Sequence, residues 1–175
     1  MSEVSKPQGN PEDLTIRHAH PADYPRVIAV LDQWWGGRRM ADMLPKLFFV
    51  HFQPTSFVAE RSGELLGFVV GFLSQTHPEE AYIHFVGVHP GLRGQALGQA
   101  LYGRFFAAAR QAGARTVRCV TSPVNHGSIA FHQRMGFAIQ AGDTVRDGLP
   151  VAADYDGPGE DRVLFSRSLA EIGGG

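Results

Sequence analysis

Val88-His89-Pro90-Gly91-Leu92-Arg93-Gly94-Gln95-Ala96-Leu97-Gly98 is a run of small and polar residues between two segments of different hydrophobic period. Upstream, Ala81 to Val88 reads as a strand. Downstream, Leu97, Leu101, Phe105, Ala108 and Ala112 mark one face of a helix that Gly113 ends. The unit is therefore strand, loop, helix. Such a junction points free backbone N–H groups outward at the positive end of a helix dipole, which suits a pyrophosphate. Arg93 adds a charged donor at the rim. The loop is neither a Walker A sequence nor G-x-G-x-x-G, and a plain tight turn remains open as its whole meaning.

Outward from this loop the remaining elements follow by pattern. Leu14 to His18 alternates as a short strand, and Tyr24, Val27, Ile28 and Leu31 fall at helical spacing in a segment opened by Pro21 and stopped by Gly36-Gly37. Met40 to Phe52 is expected to form a second helix. Ser56 to Glu60 and Leu65 to Leu73 read as strands joined by the turn Arg61-Ser62-Gly63-Glu64. Thr116 to Thr121 is a further strand, Ser128 to Met135 a short helix, and Gly136-Phe137 the start of another strand. Residues 141 to 160 read mostly as loop, and Arg162 to Ser168 supplies a last strand. The order gives an α/β fold with mixed strand directions.

Composition limits the function classes. The 175 residues suit one domain, expected at residues 14–170, with flexible tails at 1–13 and 171–175. The chain is 43% hydrophobic and carries a net charge of −1, which gives no broad positive field for nucleic acid. No nucleic-acid partner is expected. The single cysteine, Cys119, lies in an apolar run and reads as a buried thiol, so no internal disulfide forms. Residues 1–13 lack the apolar core of a signal peptide, and the longest apolar run, Leu65 to Leu73, is too short to span a bilayer. A soluble, cytoplasmic protein without membrane contact is expected.

A second stretch, Asn125-His126-Gly127-Ser128-Ile129-Ala130-Phe131-His132-Gln133-Arg134-Met135-Gly136-Phe137, completes the pattern. The pair of stretches resembles the GNAT superfamily of N-acetyltransferases. Its members show an Arg/Gln-x-x-Gly-x-Gly/Ala loop and, about 30 residues on, Asn-x-x-Ala/Ser-x-x-aromatic-Tyr-x-x-x-Gly-Phe. Arg93, Gly94, Gln95, Leu97 and Gly98 match the first motif, and Asn125, Ser128, Phe131, Gly136 and Phe137 the second. Ala96 stands where the first motif glycine is usual, and His132 stands where tyrosine is common. The element order matches from Leu14 to Ser168.

The resemblance implies a mainly antiparallel sheet of six to seven strands flanked by about four helices, with a splayed central strand pair. Acetyl-coenzyme A is implied as co-substrate, lying between strand 81 to 88 and strand 116 to 121. Its implied contacts are Val86, Gly87, Val88, Arg93, Gly94, Gln95, Ala96, Leu97, Gly98, Asn125, Ser128 and Phe131. Backbone groups at Val86 and Val88 would polarise the thioester carbonyl as an oxyanion hole does. Helix capping is the other reading of Asn125 and Ser128.

Acetyl transfer to an amine requires proton movement. Period-two alternation puts Tyr82, His84, Val86 and Val88 on one face of their strand. An imidazole with a pKa near about 6.5 can take an ammonium proton close to neutrality, which makes His84 the candidate base and Tyr82 its helper or a wall of the acceptor site. The spacing resembles the arylalkylamine acetyltransferases. His132 is read as general acid or as pocket wall. Trp34 and Trp35, before Gly36-Gly37-Arg38-Arg39, are candidate acceptor-binding residues, the other reading being a core tryptophan, Trp34 before Trp35, followed by a glycine helix cap and two solvated arginines. The acidic bias of 141 to 160 either attracts a cationic amine or is a solvated face. His18, His20, His51, His77 and His126 show no metal-ligand spacing, so no metal is expected. The leading function is acetyl transfer to a primary amine of a small molecule or peptide by direct attack in a ternary complex. A catalytically idle acyl-coenzyme A sensor is the alternative, and the resemblance allows a homodimer.

Overall fold

The computed structural model describes residue 7 and residues 13–170; the two expected tails lie almost entirely outside these. In chain order the elements are β1 Leu14–His18, α1 Asp23–Trp34, α2 Leu47–His51, β2 Phe57–Arg61, β3 Glu64–Leu73, β4 Glu80–Val88, α3 Leu97–Gln111, β5 Thr116–Thr121, α4 His126–Arg134, β6 Ala138–Ile139, β7 Thr144–Arg146, β8 Leu149–Val151 and β9 Val163–Ser168. Seven strands form one mixed sheet in the order β1-β2-β3-β4-β5-β9-β6, and β7 pairs with β8 in a separate hairpin. Pairing is antiparallel for β1 with β2, β2 with β3, β5 with β9 and β6 with β9, and parallel for β4 with β5.

The chain divides into two compact units, one of residues 1–72 with 83–112 and the other of residues 73–82 with 113–175. The first holds β1 to β3, α1, α2, the end of β4 and α3. Its core gathers Val27, Leu31 and Trp34 of α1, Phe48 and Phe49 of α2, and Val58, Phe68 and Val70 of the strands. Each fully buried large side chain contributes about 1.5–3 kcal/mol. A charged cluster ties β1, α1 and β2 together: Arg17 grips Asp23 with two bonds of 2.8 and 2.9 Å and reaches Glu60 at 3.0 Å. Burial alone would raise the Asp23 pKa, yet Arg17 and the His20 N–H hold it below the usual carboxylate range. The β2–β3 turn forms as expected, with Ser62 and Gly63 at φ 48 and 80, the mirror-image turn that suits strand twist.

One expectation fails locally. The helix expected over Met40 to Phe52 is broken into a 3-10 turn at Ala41–Met43 and the short α2. Pro45 is the cause, because the residue before a proline is pushed out of the helical region; Leu44 has φ −118 and ψ 89. Residues 141 to 160 are mostly loop, as expected, but contain the short β7–β8 hairpin. Its turn is Asp147-Gly148, with φ 49 and 81.

In the second unit, β5 pairs along its whole length with β9. α4 packs His132 against Phe165 of β9 and Phe137, with ring centroids 4.9 and 5.4 Å apart. Cys119 is buried, and burial pushes its thiol well above the usual range.

Candidate active site

In the first unit β4 runs into the loop 89–96 and then into α3, as the hydrophobic periods require. Within β4, Ile83 and Gly87 are buried while His84 is exposed and Val86 and Val88 are partly open. A Cβ on Gly87 would run into the Phe68 ring. The missing side chain at 87 is thus a packing requirement, one that motif matching did not reveal.

The loop is fastened at both ends. His89 is buried; its backbone N–H donates to Leu66 at 2.8 Å and its Nδ1 accepts the Gly91 N–H at 3.1 Å. That bond caps the 3-10 turn Pro90–Leu92. Gly94 and Ala96 then take left-handed conformations, φ 76 and 63. The first backbone bond of α3 runs from Ala100 N–H to the Ala96 carbonyl, so helix geometry leaves the N–H groups of Ala96, Leu97, Gly98 and Gln99 without intrahelical acceptors. Those donors sit at the positive end of a 15-residue helix. No side chain caps it, and a Cβ on Gly94 would meet nothing within 4 Å. The residues present therefore fit an anionic diphosphate.

Ala96 is a left-handed residue with a Cβ, a strain of about 1–2 kcal/mol. Ala96→Gly is expected to raise Tm by about 2–4 °C in a thermal melt; an unchanged or lower Tm would mean the loop does not hold this conformation.

Arg93 does not stand alone at the rim. Its NH2 group donates to the Trp34 carbonyl at 2.6 Å, and its guanidinium lies 5.8 Å from the Trp35 ring centre. It joins the loop to the end of α1. Gln95 is likewise turned back, its side-chain amide donating to the Gly91 carbonyl at 3.2 Å. Trp34 is 3% exposed, against Phe68 and His89, and is a core residue rather than part of an open acceptor surface. Trp35 is half-buried and meets the Phe85 ring edge-on.

His84 lies over Phe48, ring centroids 4.6 Å apart and planes 13° apart. Its Nε2 is 2.8 Å from the Met43 carbonyl oxygen. A carbonyl can only accept, so Nε2 carries the hydrogen. In the neutral ring the lone pair is then on Nδ1. Sequence periodicity placed His84 on the open side of β4 but gave no sign of this partner 41 residues away.

In the second unit Asn125 Oδ1 accepts the Ser128 N–H at 3.2 Å and caps α4. Phe131 is half-buried. His132 is 4% exposed, and its Nδ1 donates to the Ser128 carbonyl at 2.7 Å. Burial pushes its pKa below the ordinary histidine value, which favours the pocket-wall or core reading over that of a general acid. Burial and Tyr155, with which it shares a hydrogen bond, push the Tyr82 pKa well above the usual range. That phenol stays protonated near neutrality and cannot act as a base. Most acidic side chains of 141 to 161 are already used inside the loop. Asp156 and Glu160 pair with Arg162, Asp161 pairs with Arg146, and Asp143 and Asp154 accept the N–H groups of Ala153 and Gly159. They build the loop more than they offer a cationic-amine site. Among the described residues no cluster of three or more His, Cys, Asp or Glu is placed to hold a metal, and no helix is long and apolar enough to cross a membrane.

His89 is also held below the ordinary histidine pKa, by burial first and by Arg93. For both His89 and His132 the folded chain therefore binds a proton less readily than the unfolded chain. Stability is full above about pH 6.5 and falls as pH drops below it. Tm is expected to decrease by a few degrees from about pH 7.5 to about 5.5, a window above the carboxylates of Asp23 and Glu60, which Arg17 and its neighbours hold below the usual carboxylate range. A flat Tm across that window in the wild type would contradict this.

Comparison with known proteins bears on this arrangement. L-2,4-diaminobutyric acid acetyltransferase of Nocardia farcinica is 34% identical over 80 residues, which are 46% of this chain and 42% of that protein. The chain spans about two fifths or less of the length of the curated relatives it matches. Ard1 of Thermoplasma volcanium superposes with a TM-score of 0.72 at 23% identity, over 91% of this chain and 99% of that one. YncA of Salmonella typhimurium, solved with acetyl-CoA, does so with 0.66 at 20%, over 93% and 97%. These structures share the fold, with its seven-stranded mixed sheet and four helices. The acetyltransferase (GNAT) family model matches residues 16–137, well over half of the sequence and including β4, the loop and α3; the chain belongs to that family.

Proposed function

We propose that the protein is an acetyl-coenzyme A-dependent N-acetyltransferase that passes the acetyl group directly to a primary amine of a small molecule or peptide. The observation that carries this reading is the N-terminus of α3: four N–H groups without intrahelical acceptors, next to a left-handed loop, at the end of the strand that bears His84. Family membership and the diaminobutyric acid acetyltransferase among the relatives support it.

The co-substrate, when bound, supplies an acetyl thioester. The N–H groups from Ala96 to Gln99 hold its diphosphate, with Gly94 leaving room for approach. Backbone groups at Val86, Gly87 and Val88 take the thioester arm and polarise its carbonyl. His84 Nδ1 accepts the proton that an ammonium must lose before its nitrogen can attack. The C–N bond then forms as the C–S bond breaks. The sulfur leaves as a thiolate and takes up the second proton that the acylated nitrogen sheds; with a thiol pKa of ordinarily about 8.5 this needs no strong acid, so the reaction does not depend on His132. The buried Cys119 gives no nucleophile for an acyl-enzyme. Trp35 and the rings of Phe48 and Phe85 around His84 supply an apolar wall for the acceptor.

Release of free coenzyme A thiol across a panel of polar and apolar primary amines tests the reading. Thiol release that requires an amine is expected. Tight acetyl-coenzyme A binding without release for any amine would instead indicate the idle sensor, and no binding by calorimetry would refute both.

A further inference from the structure

Asp32, near the end of α1, has no part in the proton path above, yet it organises the turn on which that path leans. Its Oδ1 accepts the backbone N–H of Met40 at 2.7 Å and of Ala41 at 2.8 Å. Its own carbonyl accepts the Gly37 N–H at 2.8 Å, so the chain leaves α1 and returns to the same residue. The two N–H groups held by the carboxylate open the 3-10 turn Ala41–Met43, in which Met43 N–H donates to the Met40 carbonyl at 3.0 Å. The carbonyl of Met43, at the end of that turn, is the acceptor for Nε2–H of His84.

A three-residue turn followed by Leu44-Pro45 has no helical length to keep it in shape. Hydrogen bonds to a charged acceptor are roughly twice as strong as neutral ones, and Asp32 is half-buried. Of the other charges on the segment, Arg39 and Asp42 pair with each other at 2.7 Å in the open, and Arg38 turns back to the Trp35 carbonyl at 3.4 Å. Phe48 and Phe85 contact the His84 ring without offering it a polar partner. Asp32 is thus the group that fixes the Met43 carbonyl.

We infer that Asp32 is a positioning residue for His84. By holding the Met40–Met43 turn it keeps the Met43 carbonyl where it selects the Nε2–H tautomer and leaves Nδ1 as the accepting nitrogen. The inference rests on the reading of His84 as the base, and deepens it. It separates two roles a carboxylate could have, because holding a turn needs an acceptor oxygen and proton chemistry needs a charge.

The test compares Asp32→Asn, Asp32→Ser, Asp32→Ala and His84→Ala with the wild type. Two readouts are used: the pH profile of kcat/KM, and the nitrogen-15 spectrum of the His84 ring. Asp32→Asn keeps an acceptor oxygen and is expected to stay within about threefold of the wild type, with one Nε2–H tautomer. Asp32→Ala is expected to lose about tenfold or more in kcat/KM, with acetyl-coenzyme A affinity unchanged and the ring a mixture of tautomers. Asp32→Ser, too short to reach both N–H groups, gives the same direction should the alanine variant not fold. Folded alanine and serine variants with wild-type rate and a single tautomer overturn the inference, as does Asp32→Asn slowed as much as Asp32→Ala. If His84→Ala leaves rate and profile unaltered, the base reading is what fails, and the tautomer spectrum still reports separately whether Asp32 holds the ring.

Discussion

His84→Ala slows acetyl transfer by about 10² to 10⁴ in kcat/KM and removes the acidic limb of its pH profile, while acetyl-coenzyme A affinity barely changes. The ring is exposed on β4, stacked on Phe48 and hydrogen-bonded only through Nε2 to a backbone carbonyl. Losing it leaves no buried polar group unpaired except that carbonyl, which water can reach. The cost therefore falls on the reaction rather than on folding. A histidine that served only to pack Phe48 would show the reverse, with a lower Tm and an unaltered limb. A His84→Ala enzyme with near-normal rate and the same acidic limb would remove the base assignment.

Gly98→Val is the second large effect, now on the co-substrate. Gly98 is the second residue of α3, and its N–H is one of the four proposed to hold the diphosphate. A branched side chain there covers its neighbours' donors, and acetyl-coenzyme A affinity is expected to fall at least about tenfold. The control is Gly103→Val, the same exchange one and a half turns further along, where a Cβ meets nothing within 4 Å. Both exchanges put valine for glycine within α3, so a difference in affinity between the folded variants isolates the phosphate approach. Equal affinity of a folded Gly98→Val protein and the control would exclude this end of α3 as the diphosphate site.

The sequence was most legible where a pattern had length. The 15 residues of α3 begin at Leu97, where its apolar face begins, and β5 runs from Thr116 to Thr121 as its β-branched run indicates. Gly-rich turns were legible too, because Ser62-Gly63 and Gly94 need left-handed backbone that few residues accept. Short elements were not. Pro45 cut one expected helix into pieces, and Asp147-Gly148 closed a hairpin whose three-residue strands are too short to show a period.

Within the candidate site, the sequence showed which residue types were present but not their partners. Arg93 looked like a free cation until its bond to the Trp34 carbonyl, 59 residues away, was seen. Trp34 and Trp35, neighbours in sequence, divide between a buried and a half-buried position because α1 ends between them. The Asp32 carboxylate was invisible as a site feature, since nothing in its neighbourhood marks a residue that acts through the backbone of residues 40 and 41.

The claim at the centre of this account is direct transfer from thioester to amine within one ternary complex, without an acyl-enzyme. Initial velocities measured while acetyl-coenzyme A and an accepted amine are both varied test it most directly. The account predicts reciprocal plots that intersect, with thiol release that stops when the amine is left out. Parallel lines, or an amine-independent burst of thiol, would mean that the chain itself carries the acetyl group and would contradict it.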